Sequence, residues 1–282
     1  MSEVVLVTGA SSGIGQATAD RLRARGWTVI GASRLGTSTG AWAPLVMDVD
    51  DEASVIHGMD AVIAEHGRLD AVVTCAGWGL AGSVEETPIR DARDQFETLF
   101  WGSVRVVQRA LPVMRRQGRG RIVLMSSIGG VLGLPFQAFY SAAKFALEGY
   151  GEALAYEVAP LGIEVTLVEP GNVRTGFTAA RRDVGPGAGP GGAAEGAAEG
   201  AAEGGVSPYR EAAAKAVGKM AEDEAGGVDP GKVADVVVRV LGSGRPPRRV
   251  SVGKLDERVG ITAKRLLPHR LFERAAKGSL GV

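Results

Sequence analysis

The chain has one cysteine, Cys75, among 282 residues. A single thiol excludes an internal disulfide framework and fits a reducing compartment. Histidine is almost as scarce. His57, His66 and His269 stand apart from one another, and no Cys or His spacing resembles a metal site, so no catalytic metal is expected. Neither charge is in excess: 32 Lys and Arg balance 32 Asp and Glu. A protein built to hold nucleic acid would carry a basic surplus, so nucleic acid is not an expected partner. Long apolar runs are missing too. Residues 122–143 contain no charge, yet Ser126, Ser127, Gly129, Gly130, Pro135, Gln137 and Ser141 interrupt any apolar helix face. A spanning helix needs about 20 predominantly apolar residues, so this stretch reads as strand, loop and helix start. The first residues lack the basic region and small-residue cleavage site of a secretion signal. The expectation is a soluble, cytoplasmic protein.

What the chain does have is core material, with 45% hydrophobic residues, and 42 glycines. The first excludes a wholly disordered chain, and the second implies that glycine serves loops. Apolar runs at 4–8, 28–32, 45–47, 69–74, 121–125 and 164–168 read as strands. Helix-period patterns at 14–25, 52–66, 90–117 and 140–158 lie between them. This alternation predicts an α/β fold, a doubly wound parallel sheet covered by helices on both faces. Residues 183–206 are mostly Gly, Ala, Pro and Glu, with Gly-Ala-Ala-Glu three times in succession from Gly192. So little can be buried there that a mobile insertion is expected. Ser207-Pro208 is expected to start a helix running to about Glu224, and Asp229-Pro230 another to Leu241. Residues 248–252 read as a last strand that completes the sheet. The insertion therefore interrupts a single domain over 1–282.

Between Arg245 and Lys277 ten Lys or Arg face three acids. Residues 255–282 read as a basic helical tail, a solvated amphipathic helix in preference to one that touches an anionic membrane surface.

Thr8-Gly9-Ala10-Ser11-Ser12-Gly13-Ile14-Gly15 joins the first strand to the first helix. Glycines let a backbone approach a pyrophosphate, and a helix N-terminus offers N–H donors and partial positive charge to it. With this motif the chain resembles the classical short-chain dehydrogenase/reductase family, whose glycine signature is Thr-Gly-x-x-x-Gly-x-Gly. The resemblance covers about residues 4–177 and leans toward the branch acting on 17β-hydroxysteroids, retinoids and polyketide-type ketones. It implies a Rossmann fold and a nicotinamide cofactor on Gly9, Ser11, Ser12, Gly13, Ile14 and Gly15. At the end of the second strand, where NAD-binding members place an acid, stand Ser33 and Arg34. Both can donate to a 2′-phosphate and no carboxylate opposes them, so NADP(H) is favoured over NAD(H). The resemblance places Asp48 and Val49 at the adenine. Ala76 and Gly77 fall in the stretch Thr74-Cys75-Ala76-Gly77, where the family commonly has Asn-Asn-Ala-Gly. Pro170, Gly171, Val173 and Thr175 lie on a loop that meets the nicotinamide carboxamide in similar proteins. Cys75 reads as a small buried filler rather than a nucleophile.

Tyr140 and Lys144 are four residues apart, about one helical turn, and so share a face. Free tyrosine titrates near about 10, too high for an efficient acid at neutral pH; a neighbouring ammonium favours the phenolate. Ser127 stands thirteen positions earlier, where the family has its catalytic serine. The implied roles are Tyr140 as general acid/base, Ser127 polarising the substrate carbonyl, and Lys144 tuning the tyrosine and holding the nicotinamide ribose. One departure bears on the chemistry. The family's long helix after the fourth strand carries an asparagine that holds a relay water for the lysine; here the place is taken by Leu99, which cannot hydrogen-bond.

Trp78, Leu80, Leu134, Phe136 and Phe177 flank these motifs and predict a pocket for a bulky hydrophobic ketone or secondary alcohol. Two functions follow. In the first, the protein is an NADP(H)-dependent oxidoreductase transferring hydride to or from such a substrate. In the second, Leu99 marks loss of the redox relay, and the fold serves a non-redox catalyst or nucleotide-binding protein. The joint presence of Ser127, Tyr140 and Lys144 favours the first. The family's habit implies a homodimer or homotetramer, with the helices over 90–117 and 140–158 at the interface.

Overall fold

A computed structural model describes residues 2–37, 40–184, 207–268 and 270–272. Strand β1 (Val4–Thr8) is buried along its whole length, as befits an apolar run with neighbours on both edges and both faces. It leads through residues 9–12 into helix α1 (Gly13–Ala24), followed by β2 (Thr28–Ser33), β3 (Ala43–Val46), α2 (Glu52–His66) and β4 (Ala71–Thr74). Asp51 caps α2 by accepting from the Ala53 N–H at 2.9 Å, and left-handed Gly67 ends it. After a short strand β5 (Leu80–Ala81) come α3 (Ile89–Phe96), a π-helical turn (Glu97–Trp101) and α4 (Gly102–Gln117). The long helix expected over 90–117 is thus one continuous rod with a local π-bulge, an insertion that a 3.6-residue pattern cannot reveal.

β6 (Gly120–Met125), α5 (Ala138–Val158) and β7 (Ile163–Pro170) follow, then α6 (Phe177–Ala180) and β8 (Arg182–Asp183), which pairs with β5. Residues 122–143 accordingly divide into strand, loop and helix start. Among the described residues no helix is long and apolar enough to cross a membrane. The expected mobile insertion lies outside the described residues from 185 to 206. Helix α7 (Arg210–Ala225) starts two residues later than Pro208, because the Ser207 hydroxyl accepts from the Tyr209 N–H at 3.1 Å and holds a turn there. Helix α8 (Pro230–Gly242) has the expected Asp229 cap and first-position proline. β9 (Arg249–Val252) and α9 (Leu255–Leu266) end the described fold; the rest of the expected basic tail, 273–282, lies outside it.

Seven strands form one parallel sheet in the order β3-β2-β1-β4-β6-β7-β9. On one face Val55, Met59 and Val62 of α2, Val106 and Ala110 of α4, and Leu147 and Leu154 of α5 close a core. On the other, Ala19 and Leu22 of α1 pack with Val233, Val237 and Val240 of α8. This is the doubly wound fold, and β9 completes its sheet as expected. Strand order reverses at β1 and β4, so the crevice beyond their carboxyl ends is where such a sheet binds ligands. Thr8 closes that crevice at its base, its Oγ1 accepting the N–H groups of Cys75 and Ala76 at 3.1 Å each.

Candidate active site

A cavity of about 520 Å³ opens at this switch point. Its floor is the turn after β1. Gly9 adopts a left-handed φ of 64°, and a side chain there would overlap the Ala76 backbone. Gly15 lies against Gly9 so closely that a Cβ on it would overlap the Gly9 carbonyl oxygen. The N-terminus of α1 is therefore drawn down onto the turn. Its first turn holds no acid to compete for the free N–H groups. Gly9, Ser11, Ser12, Gly13, Ile14 and Gly15 all line the cavity, joined by Ser33, Arg34, Asp48, Val49, Ala76, Gly77, Pro170, Gly171, Val173 and Thr175. The side-chain-free cradle and unopposed helix terminus fit the diphosphate of a dinucleotide.

At the other end stand Ser127, Tyr140 and Lys144, delivered by the turn after β6 and by α5. Tyr140 is 9% exposed and Lys144 6%. Ser127 Oγ accepts from the Gly129 N–H at 3.0 Å. Lys144 Nζ donates to the Met125 carbonyl at 2.8 Å and lies 5.9 Å from the Tyr140 ring centroid. Burial pushes the Tyr140 hydroxyl up to about 12, with Ser127 acting against it, and the Glu224 carboxylate adds to the rise. Burial pulls Lys144 down to about 8, with Cys75 and Glu148 acting against it. Cys75, partly buried and lining the cavity, is pushed up to about 12 by burial and held as a neutral thiol.

Leu99 sits in the π-helical turn, 1% exposed, clustered with Tyr140 and Ala143. It brings no polar side-chain atom to the lysine. Among the described residues no group of three or more His, Cys, Asp or Glu is placed to hold a metal ion.

Of the five residues expected at the substrate wall, three line the cavity and two do not. Trp78, Leu134 and Phe177 line the cavity, with the Phe177 ring edge-on to Tyr140 at 5.9 Å. Trp78 is fixed on three sides: its Nε1 donates to Thr98 Oγ1 at 3.0 Å, its carbonyl accepts from Gln95, and the Arg182 guanidinium lies 4.8 Å from its ring. Leu80 does not reach the cavity, because it is locked in the β5–β8 ribbon and 2% exposed. Phe136 does not reach it either; it occupies a left-handed turn with φ 58°, and its carbonyl accepts from Gly82. Sequence reasoning missed Gln137, Arg182 and Glu224, which complete the wall. Gln137 lies three residues from Tyr140 and was within reach. Arg182 and Glu224 are set there by the β5–β8 pairing and by α7, which no local motif announces.

A family model of short chain dehydrogenases matches residues 3–184. The chain belongs to the short-chain dehydrogenase family. That is an oxidoreductase family working with NAD(P)(H), and the cradle described above fits such a cofactor. The chain is 36% identical to a 3-ketodihydrosphingosine reductase of Bacteroides thetaiotaomicron over 276 residues, covering 98% of this chain and 97% of the relative. It is 34% identical to retinol dehydrogenase 8 of Bos taurus, covering 87% and 80%. A solved short-chain dehydrogenase from Streptomyces avermitilis superposes with a TM-score of 0.79 at 33% identity, covering 99% of this chain and 98% of that one.

Proposed function

We propose that this protein reduces a bulky, apolar ketone to a secondary alcohol with NADPH, using Tyr140, Ser127 and Lys144. The observation that carries this reading is the placing of Tyr140, Ser127 and Lys144 together, all three buried, between a dinucleotide cradle and the apolar wall of Trp78, Leu134 and Phe177. Similarity over nearly the whole of both chains to a 3-ketodihydrosphingosine reductase supports a ketone as substrate.

When bound, the reduced nicotinamide supplies a hydride to the carbonyl carbon. Ser127 Oγ and Tyr140 Oη donate hydrogen bonds to the carbonyl oxygen and stabilise the charge that develops there. Tyr140 then gives its proton to that oxygen. A hydroxyl held up at about 12 stays protonated at neutral pH, which suits the reductive direction. Lys144 stabilises the phenolate left behind and holds the nicotinamide ribose. Leu99 leaves the return of the proton to groups other than the usual asparagine; retention of all three reacting side chains in one cavity supports redox chemistry over a non-redox or purely nucleotide-binding role.

Gly9 to Gly15 would cradle the diphosphate, Asp48 and Val49 the adenine, Ala76 and Gly77 the ribose-proximal face, and the loop from Pro170 to Thr175 the carboxamide. The NADPH preference rests on Ser33 and Arg34. Arg34 is exposed on the cavity rim, and Asp50, whose carboxylate feels the Arg34 charge, is engaged by the Thr98 hydroxyl at 2.9 Å. Arg34→Glu removes the phosphate donors and adds a repelling charge. A charge-assisted contact is worth about 1.5–3 kcal/mol, so kcat/KM for NADPH falls by about 10- to 100-fold while that for NADH does not. Steady-state rates with the two cofactors check it, and an unchanged ratio would remove Arg34 from cofactor choice.

Exposed aromatics on the outer helices support a homodimer or homotetramer: Trp101 in the π-helical turn is 49% exposed, and Phe145 and Tyr156 on α5 are 45% and 64% exposed.

A further inference from the structure

The chain leaves β7 at Pro170 and runs along the cavity to Thr175, and Asn172 lines the cavity with its neighbours. This stretch is gripped from two sides. On one, the Asn172 carbonyl accepts from the Val228 N–H at 2.9 Å, and the Arg174 N–H donates to the Val228 carbonyl at 2.9 Å. Val173, between them, forms an isolated parallel bridge with Val228. Successive residues of such a bridge point their backbone groups to opposite sides, so the Val173 N–H and C=O turn away from Val228. Among the described residues no hydrogen bond reaches either group, and Val173 is 8% exposed. A donor and an acceptor left over on a buried residue of a cavity wall call for a ligand that supplies both. A primary carboxamide does so.

The second grip comes from the far end of the chain. Glu257 Oε1, in the first turn of α9, accepts from the Asn172 N–H at 2.8 Å and from Asn172 Nδ2 at 2.7 Å. Its Oε2 accepts from the Lys254 N–H at 2.7 Å and so caps α9. The carboxylate is wedged between Gly171 and Gly253, and a side chain on either would overlap Oε2. Gly171 is tied to β9 as well, its N–H donating to the Val252 carbonyl at 2.7 Å.

Capping α9 accounts for one oxygen of Glu257 and leaves the other unexplained. Both bonds to that second oxygen come from a single residue, the one before Val173. They are charge-assisted, and they fix the backbone and the side chain of Asn172 together. The planar peptide that follows carries the Asn172 carbonyl and the Val173 N–H. Holding Asn172 from one side and its carbonyl from the other therefore sets the direction of the Val173 N–H.

We propose that Glu257 is a positioning residue for the cofactor: it holds Asn172 so that the Val173 N–H and C=O meet the nicotinamide carboxamide. Helix α9 thereby fixes the seat of the reacting ring. This inference deepens the dinucleotide reading of the cavity and rests on it.

The test measures, by calorimetry, the binding of two ligands that differ by the ring alone: NADPH, and 2′-phospho-ADP-ribose, which is the same molecule without the nicotinamide. The wild-type protein is expected to favour NADPH by about 10-fold or more. Glu257→Ala is expected to lower that preference by about 10-fold through NADPH alone, the shorter ligand changing by less than about 2-fold. Glu257→Gln, whose amide oxygen can still accept from Asn172, keeps most of the preference. Asn172→Ala removes one of the two bonds and lowers it by about 3-fold. With ketone present, kcat of Glu257→Ala falls as well, because the ring is no longer held in place for hydride transfer. A general loosening of the fold weakens both ligands together and leaves their ratio alone. The inference is overturned if the wild type binds the two ligands equally, or if the ratio survives Glu257→Ala. Should that variant not fold, Asn172→Ala decides, and an unchanged ratio there overturns the inference. If the wild type binds neither ligand, the dinucleotide reading fails and takes this inference with it; equal binding of both sinks the inference alone.

Discussion

Tyr140→Phe is expected to lower kcat for ketone reduction by about 100- to 10,000-fold, the usual worth of a positioned proton donor. The substitution removes one oxygen and little else. The ring keeps its edge-on contact with Phe177 at 5.9 Å and its place beside Leu99 and Ala143. Ser127 retains the Gly129 N–H at 3.0 Å, so one donor to the carbonyl oxygen survives. Nucleotide binding persists, since the glycine cradle and the Lys144 ammonium are untouched. Absorbance of the reduced nicotinamide under saturating substrate, with calorimetry of NADPH binding beside it, separates the two quantities. Turnover close to wild type would show that another group gives the proton.

The second large effect is expected from Gly15→Ala. A methyl group there overlaps the Gly9 carbonyl oxygen, and neither side of that contact is a flexible side-chain end. Relief requires the start of α1 to move away from the turn after β1. Forcing extra atoms into a tight contact of this kind costs typically about 1–3 kcal/mol. The functional loss is larger than the loss of stability, because the N–H groups aimed at the diphosphate retreat with the helix. NADPH affinity is expected to fall by at least about 10-fold, one lost charge-assisted contact being sufficient for that. Thermal unfolding with and without NADPH reads both effects at once: the variant melts lower, and saturating nucleotide raises its Tm far less than it raises that of the wild type. An undiminished rise would show that the nucleotide does not rest on this turn.

Much of this was legible in the sequence, for reasons that are local. The central strands announce themselves because a parallel strand buried on both faces is a short run of Val, Ile and Leu, and β1 is such a run from end to end. The Thr8-to-Gly15 turn and the Tyr140–Lys144 pair are local too, and all the residues expected to serve the cofactor or the chemistry line one cavity. The failures come from contacts that span the chain. Leu80 was expected in the pocket from its place after β4, but its strand pairs with Arg182, about a hundred positions away, and is sealed by that pairing. Phe136 turns away because its backbone adopts a left-handed conformation no aromatic residue advertises. Glu224 arrives from the far side of the Gly/Ala/Glu insertion. The one hint it offered was an acid at the wrong end of a helix.

The account stands most directly on one measurement: purified protein incubated with NADPH and an apolar ketone, followed by loss of reduced-nicotinamide absorbance and quantification of the alcohol formed. The expected result is one alcohol produced for each NADPH consumed, with no consumption in the absence of ketone. Tight NADPH binding without reduction of any ketone across a range of chain lengths and head groups would contradict it.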